Sequence, residues 1–291
     1  MDFEPTIPGP DPNTRTPKFR LPPNTCDAHT HIFGPGHKYP YAADRSYTPP
    51  DAPLESFREL HDKLGIERAV IVNASCHGLD NRVVMDAVAA SDGRYRAVVN
   101  IDDTITEKEL HQLNEGGARG CRFNFVRHLG GVPDMRVFER VTAMIAPLGW
   151  HLDLHFDAVD LPDHAAMLDK LPVRYTIDHM GRVKASEGFG QKSFEALLAL
   201  LRRDEKCWVK VSGCERVSSS GPPFQDAAPF AQMLAETAPD RVIWGTDWPH
   251  PNVKVMPNDG DLVDLVPLFL PDAALQRKVL VDNPARLFEF D

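Results

Sequence analysis

Thr25-Cys-Asp-Ala-His-Thr-His-Ile-Phe33 is the first stretch of the chain that reads as a β-strand, and its polar end decides between two architectures. Seven further short runs of apolar or β-branched residues follow: Arg68–Ser75, Arg96–Ile101, Gly120–Phe125, His151–Phe156, Tyr175–Met180, Trp208–Ser212 and Val242–Trp248. Segments of helical period lie after them, at 55–64, 80–91, 106–115, 134–146, 161–170, 192–203, 225–237 and 271–281. Nearly continuous apolar strands alternating with helices predict a parallel sheet covered on both faces. A doubly wound open sheet wants a glycine-rich turn after its first strand. Strand one ends instead in Asp27-Ala-His-Thr-His31. Eight strand–helix units across residues 25–291 therefore predict an α/β fold, a single (β/α)8 TIM-type barrel. Ahead of it, residues 1–24 carry Pro at 5, 8, 10, 12, 17, 22 and 23, which forbids regular helix and predicts an extended N-terminal arm.

The chain has 291 residues, 42% hydrophobic and 25% charged, in the range of ordinary globular enzymes. Its 32 basic against 42 acidic residues give a formal charge of −10, which argues against a nucleic-acid partner. An anionic substrate would need a local cluster of Arg on so acidic a protein. No run approaches the roughly 18 apolar residues of a membrane span. The N-terminus lacks a basic region followed by an apolar one, so a cytoplasmic protein is expected. Five scattered Cys without CxxC spacing read as reduced thiols, not as a disulfide framework.

In such a barrel the chemistry sits at the C-terminal ends of the strands. There the sequence places His29 and His31 on strand one, two residues apart and so on one face, His155 on strand five, His179 on strand six and Asp247 on strand eight. Imidazoles plus a carboxylate are the usual ligands of a catalytic zinc with one open position. Any one of these residues alone reads as a core histidine or a turn aspartate. The set, drawn from four strands, reads as a site for one divalent cation, zinc first, although catalysis without a metal stays open. A cation there would lower the pKa of a bound water to about 7, and Asp247 can act as general base. His179 reads as either a ligand or a group that polarises a carbonyl.

These residues, with Ala74-Ser-Cys-His-Gly78, Arg119-Gly-Cys-Arg-Phe-Asn-Phe125, Ile177-Asp-His-Met-Gly-Arg182 and Ile243-Trp-Gly-Thr-Asp-Trp-Pro-His-Pro-Asn252, resemble the amidohydrolase superfamily. The resemblance is to the lactonase branch that holds 2-pyrone-4,6-dicarboxylate hydrolases and 4-sulfomuconolactone hydrolases. It implies hydrolysis of a small anionic unsaturated lactone in aromatic-compound catabolism. The pyrone hydrolases are understood to work without metal and carry Tyr on strand five, where this chain has His155. They also carry Arg six residues past the strand-four Arg, where this chain has His128 preceded by Arg127. Both departures favour a metal-assisted enzyme like the sulfomuconolactone hydrolases, which yield maleylacetate and sulfite. The pyrone hydrolase is the alternative, and an amidohydrolase-type decarboxylase of an aromatic acid the next. A barrel retaining a dead site as a binding module is the non-enzymatic reading.

For the substrate's anionic groups the candidates are Arg122, Arg127 and Arg216, with Arg182 beside them, because the planar guanidinium suits carboxylate and sulfonate. Ser75 and His77 can donate to substrate after strand two, His77 being equally suited to a core or capping role. His250 either orients Asp247 or packs beneath its loop. The long connection 34–54 and the segment 214–224 read as lids, with Tyr47 facing substrate and Tyr39 and Tyr41 packing. Cys76 and Cys214 stand near strand ends, but water is the preferred nucleophile. The sequence leaves the oligomeric state open, as it does whether the arm packs on its own barrel.

Overall fold

The computed structural model describes residues 4–291. Eight parallel strands run in sequence order: β1 (Cys26–Thr30), β2 (Arg68–Val72), β3 (Tyr95–Val99), β4 (Ala118–Asn124), β5 (His151–His155), β6 (Tyr175–Ile177), β7 (Cys207–Lys210) and β8 (Val242–Ile243). The segment after β8 closes the barrel onto β1: Ala28 N donates to Trp244 O at 2.8 Å, Asp247 N to His29 O at 2.8 Å and His31 N to Trp248 O at 2.7 Å. Closure needs Gly245, since a Cβ there would lie 2.5 Å from the backbone nitrogen of His29. The fold is the (β/α)8 barrel expected from the alternating pattern.

The helices are α1 (Leu54–Leu64), α2 (Arg82–Ala89), α3 (Glu107–Glu115), α4 (Met135–Ile145), α5 (Leu161–Leu168), α6 (Lys192–Arg203), α7 (Cys214–Val217), α8 (Ala228–Thr237), α9 (Asp259–Phe269), α10 (Ala273–Arg277) and α11 (Asn283–Phe288). Three were not expected. The short α7 sits inside the supposed lid 214–224. The second, α9, contains Gly260 and Pro267, which mask its period, but Asn258 caps it by accepting from Gly260 N. The helix expected at 271–281 is split into α10 and a π-helical turn over Lys278–Asp282, and the third unexpected helix, α11, follows it at Asn283–Phe288.

Two apolar cores result. The larger lies between the strands and the helices. The smaller fills the barrel lumen, where Leu287, Phe288 and Phe290 pack against Val70, Val72, Val98, Trp208 and Ile243. The chain terminus thus plugs the end at which strands begin: Arg68 donates to Asp291 O at 2.6 Å and Arg96 to Glu289 O at 2.7 Å. The opposite end is left for chemistry.

Residues 4–24 form no helix or strand and lie on their own barrel. Asp264 accepts from Lys18 N and Phe19 N at 2.7 and 2.8 Å, and Asn258 accepts from Arg15 N at 2.9 Å. Residues 1–3 of the expected arm lie outside the described residues. Among the described residues no helix is long and apolar enough to cross a membrane.

Candidate active site

Strand one supplies two histidines because it does not keep strict alternation. Its register with β2 shifts between Asp27 and Thr30, the mark of a bulge. Asp27 faces the helix layer, accepting from Thr246 Oγ1 at 2.5 Å and lying 3.3 Å from His61 Nε2 on α1. His29 and His31 both turn to Asp247: their Nε2 atoms lie 3.6 and 3.4 Å from Asp247 Oδ1. His179 Nε2 is 3.9 Å from the same oxygen.

Asp247 and His179 are held outside strand geometry. The expected strands Tyr175–Met180 and Val242–Trp248 stop at Ile177 and Ile243. His179 has φ 51° and Met180 φ 53°, Asp247 φ 67° and His250 φ 61°, all in the left-handed region that side chains disfavour. Such backbone costs on the order of 1–3 kcal/mol per residue and persists where surrounding packing enforces it. Here it aims two polar side chains inward.

The pocket above Asp247 is lined by His31, Tyr47, Ser75, Arg122, His128, Leu129, His155, His179, Arg216, Asp247, Pro251 and Asn252. Arg216, on α7, donates through Nε and Nη2 to Asp247 Oδ2 at 3.0 and 2.6 Å. Arg122 donates to Asp178 Oδ2 at 2.9 Å, and its Nε has no partner. Behind the pocket lies a fully buried network. Lys210 donates to Asp153 and to His29 Nδ1, the latter at 2.9 Å, and stands 3.2 Å from Asp178 Oδ1.

Burial and these charges set the protonation states. Burial would raise the Asp247 carboxyl, but Arg216, then His179, outweigh it and hold it well below the usual carboxylate range. Asp178 is likewise held low, by Lys210 against burial. Burial, followed by Lys210, brings His29 down to about 4. Burial drives His155 and His179 well below the usual histidine range, so both rings are neutral at pH 7. Glu215, buried beside Arg216, is pushed up by burial.

The donor set fits a divalent cation. His29, His179 and Asp247 offer ligand atoms all within 4.8 Å of one another. Tetrahedral zinc with bonds near 2.1 Å needs ligand–ligand edges of about 3.4 Å. The three Nε2-to-Oδ1 spacings of 3.4, 3.6 and 3.9 Å are close to that edge. His155 Nε2 and Asp247 Oδ1 are buried without hydrogen-bond partners, as ligands placed for a cation would be, and His29 Nε2 is buried without a partner beside them. His155 stands further out, its ring centroid 5.4 Å from that of His179 and its Nδ1 3.0 Å from Asn124 Oδ1.

Not every candidate reaches the pocket. Arg127 is exposed on the β4 loop and only its neighbour His128 lines the pocket. His77 packs beneath the β1 loop, 3.4 Å from Pro40 O and against the Tyr41 ring. Arg182 turns to Asp157, Nε to Oδ1 at 3.1 Å. His250 is buried against Asp259 at 3.0 Å and donates its backbone N–H to Asp247 O at 2.7 Å. Tyr39 and Tyr41 bond Asp86 and Asp51, at 2.7 and 2.8 Å. All five cysteines are buried and unpaired, and burial pushes the Cys76 thiol up to about 12, against a nucleophilic role. Sequence reasoning missed Asp153, Asp178, Lys210 and Glu215. A lysine inside the apolar run Trp208-Val-Lys-Val-Ser212 was the available signal, since a buried lysine needs partners.

The chain is 44% identical over 285 residues to a 2-pyrone-4,6-dicarboxylate hydrolase of Comamonas testosteroni, covering 95% of this chain and 93% of that one. It is 43% identical over 292 residues to a 4-sulfomuconolactone hydrolase of Hydrogenophaga intermedia, covering 99% and 96%. Among solved structures, an apo protein of Agrobacterium tumefaciens superposes with a TM-score of 0.82 at 31% identity, covering 94% of this chain and 99% of that one. The amidohydrolase family profile matches residues 26–290. Strand-end histidines, a strand-eight aspartate and a match over residues 26–290 agree: this chain belongs to the amidohydrolase family.

Proposed function

We propose that this enzyme hydrolyses the ring ester of a small anionic unsaturated lactone in cytoplasmic aromatic-compound catabolism, with 4-sulfomuconolactone as the first substrate to test. One observation carries the reading: the only oxygen of Asp247 not held by Arg216 opens on a pocket that also presents neutral His179 and His155 and the two cations Arg122 and Arg216. A base, a polarising group and anion-binding forks thus meet at one point.

The proposed roles follow from this geometry. Arg122 and Arg216 orient the carboxylate or sulfonate of the lactone, aided by His128, Ser75 and Tyr47 at the rim. Water attacks the ring carbonyl and its proton passes to Asp247 Oδ1. Arg216 fixes Asp247 through Oδ2, so the free oxygen keeps its aim. His179 polarises the carbonyl, its Nδ1 set by Ser212 Oγ at 3.0 Å. The ring C–O bond then breaks. In a pyrone the oxygen departs as an enolate. In a 4-sulfolactone it collapses to a ketone as the C–S bond breaks and sulfite leaves with the electron pair. Neither departure demands a strong general acid. A divalent cation, zinc by donor type, would be held by His29, His31, His179 and Asp247 with His155 alongside, and would supply Lewis acidity and a lowered water pKa.

The pyrone dicarboxylate remains a second substrate, favoured by the relative at 44% identity. His155 and His128 weigh against it, because they replace groups that in the pyrone enzymes grip substrate. The test is a panel of anionic lactones, including the sulfo- and carboxymuconolactones and the pyrone dicarboxylate, run against neutral lactones of the same ring size. Metal content is measured on the same batch. Opening of an anionic lactone, with neutral ones much slower, is expected. Failure to open any of them overturns the reading, and release of CO2 from an aromatic acid without consumption of base replaces it with the decarboxylase.

A further inference from the structure

The buried lysine behind the pocket has no place in the steps above, and its contacts bear on what His29 can do. Lys210 is wholly buried on β7, deep in the barrel. An ammonium has three N–H donors and no acceptor. Three acceptors surround it: Asp153 Oδ2, His29 Nδ1 at 2.9 Å and Asp178 Oδ1 at 3.2 Å. Because the lysine can only donate, His29 Nδ1 must be the acceptor, and a neutral imidazole that accepts at Nδ1 carries its proton on Nε2.

We propose that Lys210 is a positioning residue that fixes His29 as the Nε2–H tautomer, so that in the metal-free site His29 is a donor turned toward Asp247 and not a ready ligand. His31 is set the opposite way. Its Nδ1 lies 2.8 Å from Val72 O, which only accepts, so Nδ1 carries a proton and the neutral ring has its lone pair on Nε2. His155 follows His31, with Nδ1 against the amide oxygen of Asn124. The strand-one pair therefore has opposite polarities around one carboxylate oxygen.

A cation can take His29 Nε2 only if the ring changes tautomer. One proton leaves Nε2 and one is taken up at Nδ1, so the ring charge does not change. The new Nδ1–H has an acceptor in place, Asp178 Oδ1 at 3.4 Å, which meets Lys210 as an ion-pair contact at 3.2 Å but accepts no hydrogen bond as the site stands. Lys210 must then give up His29 and keep its two carboxylates. Lys210 and a metal thus compete for the two ends of one imidazole, with Asp178 as the partner of the metal-loaded state. The inference rests on the reading of Asp247 as the acting base, but its test does not depend on turnover.

The test is nitrogen NMR on the full-length protein labelled at histidine, after chelator and again with added Zn2+, with the His29 signals assigned by their absence in His29→Gln. The expected result is a protonated Nε2 and bare Nδ1 without metal, reversing when Zn2+ is added. A protonated Nδ1 in the chelated protein overturns the proposal, as does a tautomer indifferent to Zn2+. In Lys210→Met the chelated protein should show Nδ1–H, bonded to Asp178, and bind Zn2+ at least about tenfold more tightly. Retention of Nε2–H in that variant removes Lys210 from the role. Should Lys210→Met fail to fold, the two wild-type spectra still decide the matter. Failure of the lactone panel with the expected spectra would sink the proposed activity and leave the tautomer assignment standing.

Discussion

Replacing Asp247 by Asn separates catalysis from stability at a single oxygen. The amide keeps an acceptor for Arg216, which now donates to Asp247 Oδ2 at 2.6 and 3.0 Å. It cannot accept a proton from water. Losing a general base typically costs about 10²–10⁴ in rate, or roughly 3–5.5 kcal/mol on the barrier. Stability should fall far less. Removing one partner of a buried ion pair costs about 3–5 kcal/mol when the other is stranded. Arg216 is not stranded, because Glu215 Oε1 lies 3.3 Å from its Nε. The loss should be nearer the roughly 1.5–3 kcal/mol of one charge-assisted hydrogen bond. Arg216→Met does the reverse: it keeps the base and leaves the buried Asp247 carboxylate uncompensated, so it should cost the fuller amount. The assay pairs initial rates on the lactone identified by the panel with denaturant unfolding of both variants. Asp247→Asn with a near-wild-type rate, or less stable than Arg216→Met, would refute the assignment of Oδ1 as base and Oδ2 as anchor.

Three further outcomes are expected. His155→Tyr should lower both the metal content of the purified protein and its rate; if neither moves, the strand-five histidine has nothing to do with the metal. Gly260→Ala should loosen the N-terminal arm, because its Cβ would lie 2.1 Å from Arg15 O, an overlap worth about 1–3 kcal/mol; faster proteolysis within residues 4–24 with the barrel intact is the readout. Asp226 accepts from Ser219 N and Ser220 Oγ, each at 2.8 Å, and despite the upward push of burial the three serines hold its carboxyl below the usual 3.8. A depressed carboxyl stabilises the fold above its unfolded pKa and loses that contribution as pH falls through the folded one. Asp226→Asn should therefore be less stable than wild type at neutral pH, the gap closing as the pH drops below about 3.8, which unfolding curves across pH will show.

The barrel was legible because its signal is repetitive: near-continuous apolar strands require two covered faces, and eight such units leave few alternatives. The site was legible only in outline, since polar residues at strand ends announce themselves one by one. Strand periodicity could not show that His179 and Asp247 leave strand geometry for left-handed backbone, nor that a bulge turns Asp27 away while keeping His29 and His31 together. The reach of Arg216 from a four-residue helix was also hidden, because a short α7 has too few residues to show a period. Arg127 and His128 are adjacent in sequence and equivalent in charge logic. Only the path of the β4 loop puts one in the pocket and the other in solvent.

The deepest consequence of the buried network concerns charge. The chain carries −10 overall, yet the buried ion pairs at the site are balanced: Lys210, Arg122 and Arg216 face Asp153, Asp178 and Asp247, with Glu215 beside Arg216 pushed toward its neutral acid by burial. The arginines that would grip an anionic lactone are each already paired with a carboxylate. An anion entering this site must share those guanidinium groups, adding negative charge to a neutral interior of low dielectric. A divalent cation on His29, His31, His179 and Asp247 would supply the missing positive charge. The cation and the anionic lactone should therefore strengthen each other's binding, and such coupling is reciprocal by thermodynamic necessity. Calorimetry can check this with a non-hydrolysable dicarboxylate analogue. The analogue should bind more tightly to the Zn2+-loaded protein than to the chelated one, and Zn2+ should gain by the same factor when the analogue is present. Equal affinities in the two forms would mean that the paired arginines suffice, and that the neutral interior is the resting state of an enzyme that needs no metal to hold its substrate.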